Sequence, residues 1–171
     1  NNQGGASKLY VFPYIDYLDS EITVVNNILT VFPYNIIYDL NAFNITYSND
    51  AKEDEDIVYD TKISFQIKTL LPNDNFKEFI SKDYRIIIKD NNNRIRLFGL
   101  KNGLIGNYKE DIGTNRNEFN GYSFSFDGKE ENTSPYLSDL SLFNVMPIDG
   151  LFFEDGNGNI IQDGNENIII N

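Results

Sequence analysis

The chain has 171 residues, of which 40% are apolar and 14% aromatic, and it carries a net charge of −12. It contains no histidine, cysteine or tryptophan. That excludes a disordered chain, a disulfide scaffold, a histidine-based general base or pH switch, and a basic stripe able to displace counterions from nucleic acid.

One domain is the simplest organisation, with roughly 70% of the unfolded surface buried. Ile, Tyr and Phe favour strands and Asn favours turns, so composition leans towards all-β. No apolar run approaches the roughly 18 residues of a membrane span. The chain begins on Asn1 rather than Met, which points to a start that was cleaved, trimmed or omitted, and no signal peptide is visible.

In chain order, "NNQGGAS" is a polar lead, and "KLYVFPY" starts a first strand limited by Pro13. Ile22–Val25 and Ile28–Phe32 are short apolar runs around Asn26-Asn27, a pair that tolerates positive φ and predicts a two-residue hairpin turn. "AFNITYSN" predicts a strand, and the charged run from Asp50 to Asp60 a solvated loop or strand edge. In "TKISFQIKTL", Ile63, Phe65 and Ile67 alternate with Lys62, Ser64, Gln66 and Lys68, one face for the core and one for solvent.

"PNDNFKEFISKD" predicts a short helix. Asn73 or Asn75 caps it, Glu78 completes a capping box with Asn75, and Phe76, Phe79 and Ile80 form its apolar stripe.

"RIIIKDNNNRIRLFGLKNGL" predicts a hairpin. Ile86 and Ile88 share one face of its first strand, opposite Arg85, Ile87 and Lys89. "GLIGNYKEDIGTNRNEFNG" looks like a long excursion. "GYSFSFDGKE" restores alternation, with Tyr122, Phe124 and Phe126 on one side. The predicted core is therefore Ile63, Phe65, Ile67, Ile86, Ile88, Tyr122, Phe124 and Phe126.

The fold class expected is all-β, mainly antiparallel, a sandwich or barrel with one short helix. A β domain over 1–145 is followed by a C-terminal extension over 146–171. Its apolar runs are short and Gly-interrupted, which suits a β-hairpin or an assembly arm that adds strands to a neighbour.

Chemistry is sparse. From Asp155, oxygen-bearing side chains fall at Asp155, Asn157, Asn159, Asp163 and Glu166, a calcium-loop spacing. Ile160 occupies the position where such a loop turns on glycine, and the flanks read as strands, so a pair of tight β-turns explains the segment as well. Asn44-Ile45-Thr46 and Asn132-Thr133-Ser134 match the glycosylation acceptor pattern, which an Asn-rich chain produces by chance. Carboxylate pairs for glycoside hydrolysis depend on distances that sequence does not give. No catalytic, cofactor-binding or metal-ligating residue is assigned, and no enzyme activity or cofactor is expected. Exposed Tyr and Phe among many Asn would suit a sugar-binding face.

The segments "GGASKLYVFPY", "TKISFQIKTL", "IIIKDNNNRIRLFGLKNGL" and "NGYSFSFDGKEENTSPYL", in this order, resemble small virion structural proteins of tailed phages infecting Bacteroidetes, including the crAss-like phages. The resemblance spans roughly residues 4–137. It implies a tail-tube or head-to-tail connector component located in the virion tail or neck and assembled in the host cytoplasm. Its partners would be copies of itself in a ring and other phage tail or connector proteins. DNA would pass through the channel as cargo, without sequence-specific binding, and no membrane is involved. An acidic wall would let DNA slide. The alternative is a glycan- or receptor-binding β-module of a tail fibre or bacterial surface protein.

Overall fold

The computed structural model describes residues 4–34, 36–53, 56–68, 82–111, 113, 118–147, 152–154 and 160–162, the last two segments and residue 147 as backbone only. The expected helix over "PNDNFKEFISKD" falls almost wholly outside the described residues; Asp83, its last residue, already belongs to a strand.

The strands are β1 (Ala6–Pro13), β2 (Thr23–Val25), β3 (Ile28–Val31), β4 (Ile36–Asp39), β5 (Phe43–Glu53), β6 (Ile57–Ile67) and β7 (Asp83–Asp90). They continue with β8 (Ile95–Phe98), β9 (Leu104–Asp111), β10 (Gly121–Glu130), β11 (Tyr136–Leu137), β12 (Asn144–Pro147), β13 (Phe152–Glu154) and β14 (Ile160–Gln162). The fold is all-β. Twelve strands form one mixed sheet, antiparallel except where β11 meets β3 and β12 meets β4. The helical turn Asp19–Glu21 is 3₁₀.

β7 is the junction of this sheet. One edge pairs with β1 from Ala6↔Asp90 to Pro13↔Tyr84; the other pairs with β8 and then, at Asp83 and Tyr84, with the start of β9. From β9 the path continues through β10 and β6 to β5 at the far edge. The bend brings β6 and β10 across from β1, β7 and β8, so that Ile63, Phe65, Ile67, Tyr122, Phe124 and Phe126 meet Leu9, Val11, Ile86, Ile88 and Phe98 in one core. All eight residues predicted for the core are buried in it.

A second core lies on the opposite face of β7 and β1. Ile87, Tyr10, Phe12, Ile95 and Leu97 pack there against Leu29, Phe32, Leu137 and Phe143. β7 is thus covered on both faces. Its near-continuous Ile run is the expected pattern for a strand with no solvent side.

The expected excursion after Leu104 is in fact strand β9, paired with β10 from Gly121↔Asp111 to Asp127↔Ile105. Its inward positions are Leu104, Gly106 and Tyr108, and Gly106, opposite Phe126, has no side chain to reveal the period. β12 straddles the expected boundary at 145/146, pairing with β4 from Asn144↔Ile36 to Pro147↔Asp39. β13 and β14 form a separate antiparallel pair.

Candidate functional site

The described surface offers two features beyond a packed sandwich: an apolar ribbon with a groove beside it, and a polar sheet face.

The ribbon is the β2–β3 hairpin. Asn26 and Asn27 hold φ of 51° and 62°, the left-handed pair a tight two-residue turn requires. Val24 lies opposite Leu29 and Val25 opposite Ile28. Leu29 is buried in the second core, so Val24 shares the inward face while Val25 and Ile28 point away from it. Val25 and Val31 are each 50% exposed and Ile28 38%. β2 ends the strand order, so its outer edge has no partner strand among the described residues.

The groove, of about 670 Å³, lies against the inward side, between Ile22 and Val24 on the ribbon, Ile57 and Tyr59 on β6, Leu100, and the segment from Glu130 to Pro135. Ile57 is 61% exposed and supplies apolar wall facing solvent.

Beside it, two buried charges grip the turn Gly99–Gly103, where the chain passes from β8 to β9. Arg85 donates to the Leu100 carbonyl through Nε and Nη2 at 3.1 and 3.0 Å, and to the Ile15 carbonyl at 2.9 Å. Its guanidinium lies 4.2 Å from the centre of the Tyr14 ring. Glu130 accepts from the backbone amides of Lys101 and Asn102, each at 3.0 Å. Tyr14 donates to the Lys101 carbonyl. Gly99 and Gly103 sit at φ of 76° and 72°, and a Cβ on Gly103 would meet the Asp83 Cβ at 2.9 Å and the Tyr14 ring at 3.1 Å.

Burial lowers the Arg85 pKa, against the pull of Tyr14, Tyr17 and Glu130. Burial raises the Glu130 pKa more than the Asn102 and Lys101 amides and Arg85 lower it. Both side chains bond the backbone of Leu100–Asn102 and so tie the turn between β8 and β9 to the sheet.

Ser134 lies in the groove wall. Its carbonyl accepts from Arg96 at 3.3 and 3.2 Å, while its buried Oγ has no hydrogen-bond partner among the described residues. A buried hydroxyl without a partner is uncommon in folded proteins.

The polar face is the outer surface of β9, β10, β6 and β5. Asn107, Ser125, Ser64 and Thr46 stand in one cross-strand row. Beside it Asn44 donates to Gln66 at 2.8 Å and Gln66 to Ser123 at 3.3 Å. None of the eleven tyrosines, and no phenylalanine whose side chain is described, is exposed. Most of them pack in or against the two cores, while Tyr59 lines the groove and Tyr108 borders the polar face.

The five oxygen-bearing residues of the calcium-like spacing, Asp155, Asn157, Asn159, Asp163 and Glu166, are not among the described residues. Ile160–Gln162 is β14. Among the described residues no group of three or more acidic side chains is placed to hold a metal ion. Of the two acceptor-like asparagines, Asn44 is exposed at a strand irregularity with φ of 50°, and Asn132 lines the groove. Sequence reasoning missed Arg85 and Glu130. Alternation placed Arg85 on the face opposite Ile86 and Ile88, and only tertiary packing buries that face.

No protein family matches the chain, and neither a curated protein nor a solved structure matches it.

Proposed function

We propose that this chain is a structural subunit that assembles with copies of itself into a ring, in the head-to-tail connector or tail tube of a tailed phage. The observation that carries the assembly reading is the outward ribbon face: Val25, Ile28 and Val31 are exposed on a hairpin whose outer edge has no partner strand among the described residues. β-Branched residues stacked on an open edge are a template for pairing with another chain, and soluble proteins usually break such edges with charge or proline. Neither device occurs within Thr23–Val31. Among the described residues β5, at the far end of the strand order, also has no partner on its outer edge. Two different open surfaces on one subunit allow head-to-tail contacts that close into a ring. The phage setting rests on the resemblance of residues 4–137, and the charge of −12 suits a channel through which DNA slides.

Negative-stain microscopy of the purified chain tests the reading. Closed rings with a central opening support it; a particle that stays monomeric at every concentration refutes it.

A further inference from the structure

The groove beside the ribbon faces the opposite way from Val25 and Ile28, so self-assembly through those residues leaves it without a role. We infer that it is a docking site for an extended segment of a different protein, one with alternating apolar side chains and lysine or arginine at its ends.

The apolar requirement comes from the walls, where Ile22, Val24 and Ile57 present aliphatic side chains to solvent or half-buried. A strand's alternate side chains match such walls.

The requirement for positive charge comes from the rim. The exposed Glu131 lines the groove with no salt bridge or side-chain hydrogen bond among the described residues; Glu21, whose carboxylate accepts from the Leu18 amide, and Asp56 adjoin the lining residues Ile22 and Ile57 in the chain. The one lining cation, Lys101, is already paired with Asp19. An apolar floor inside an acidic rim selects basic flanks and repels acidic ones.

The test uses two short synthetic peptides of alternating valine and threonine, one ending in lysines and its twin ending in glutamates, titrated into the full chain by fluorescence anisotropy. The lysine peptide should bind, more weakly as salt rises, and should lose about tenfold or more in affinity on Ile57→Lys and on Glu131→Lys. Melting curves establish that both variants remain folded. Binding should persist in the Val25→Asp, Ile28→Asp chain.

No binding of the lysine peptide, equal binding of the glutamate twin, or unchanged affinity in folded Ile57→Lys would each overturn the assignment. Binding only to the Val25→Asp, Ile28→Asp chain would show that a second copy fills the groove, which also overturns it. A chain that binds the lysine peptide at the groove but never forms rings would sink the assembly reading and leave this one standing.

Discussion

Replacing Phe65 by alanine probes the sandwich at its centre. Phe65 is 1% exposed and lies between two rings of the neighbouring strand, stacked on Phe124 at 5.0 Å and 11° and on Phe126 at 5.9 Å and 7°. Burying a phenylalanine contributes about 1.5–3 kcal/mol, and each aromatic pair adds about 0.5–1.5 kcal/mol. The truncation should therefore cost about 3–5 kcal/mol, as large-to-small core changes do. In a domain of this size that lowers the melting temperature by roughly 6–20 °C. Gln66, the next residue, points to the polar face, where it bonds Asn44 and Ser123. These are partly solvated bonds, so Gln66→Ala should cost about 1 kcal/mol or less. Urea and thermal unfolding of both variants measure the contrast. Comparable losses at the two positions would refute the assignment of one buried and one solvent face to β6.

Three further outcomes are expected. Burial raises the Glu130 pKa, so the folded chain holds that proton more tightly than the unfolded one; the ionised carboxyl opposes folding at neutral pH, and the opposition fades as pH falls through the folded pKa. Glu130→Gln, which keeps an oxygen for the Lys101 and Asn102 amides, should melt no lower than the parent at neutral pH, with the difference shrinking on acidification; a large loss at neutral pH would contradict this. At Asp90, burial works against the carboxylate, but the Arg94 and Asn92 amides and the Arg94 guanidinium outweigh it and hold the pKa below the ordinary 3.8. Asp90→Asn should cost about 1 kcal/mol at neutral pH, discounted because Arg94 is half exposed, and that cost should disappear as pH falls below the ordinary carboxylate value, as acid melts would show. Because Ile160 replaces the turn glycine, melting in millimolar calcium and in chelator should coincide, and a shift of several degrees would restore the calcium loop.

Legibility followed the side chains. β6 and β10 alternate cleanly, and the Asn26-Asn27 turn announces its own geometry, so those elements and the core they build were readable. β9 was hidden by Gly106. β4 was hidden because Ile37 and Tyr38 face different cores, leaving no polar positions between them. The burial of Arg85 depends on Tyr14, Tyr17 and Phe32 arriving from distant segments to cover one face of β7. The groove is harder still, being assembled from β2, β6, the Gly99–Gly103 turn and the Glu130–Pro135 segment, whose meeting no local pattern encodes.

Sedimentation velocity of the parent chain beside its Val25→Asp, Ile28→Asp variant tests self-assembly through the ribbon most directly. The parent should sediment as one large closed species and the variant as a monomer with an unchanged melting temperature, since both side chains point away from the cores. A parent that is monomeric at all concentrations, or a folded variant that still forms the large species, would contradict the account.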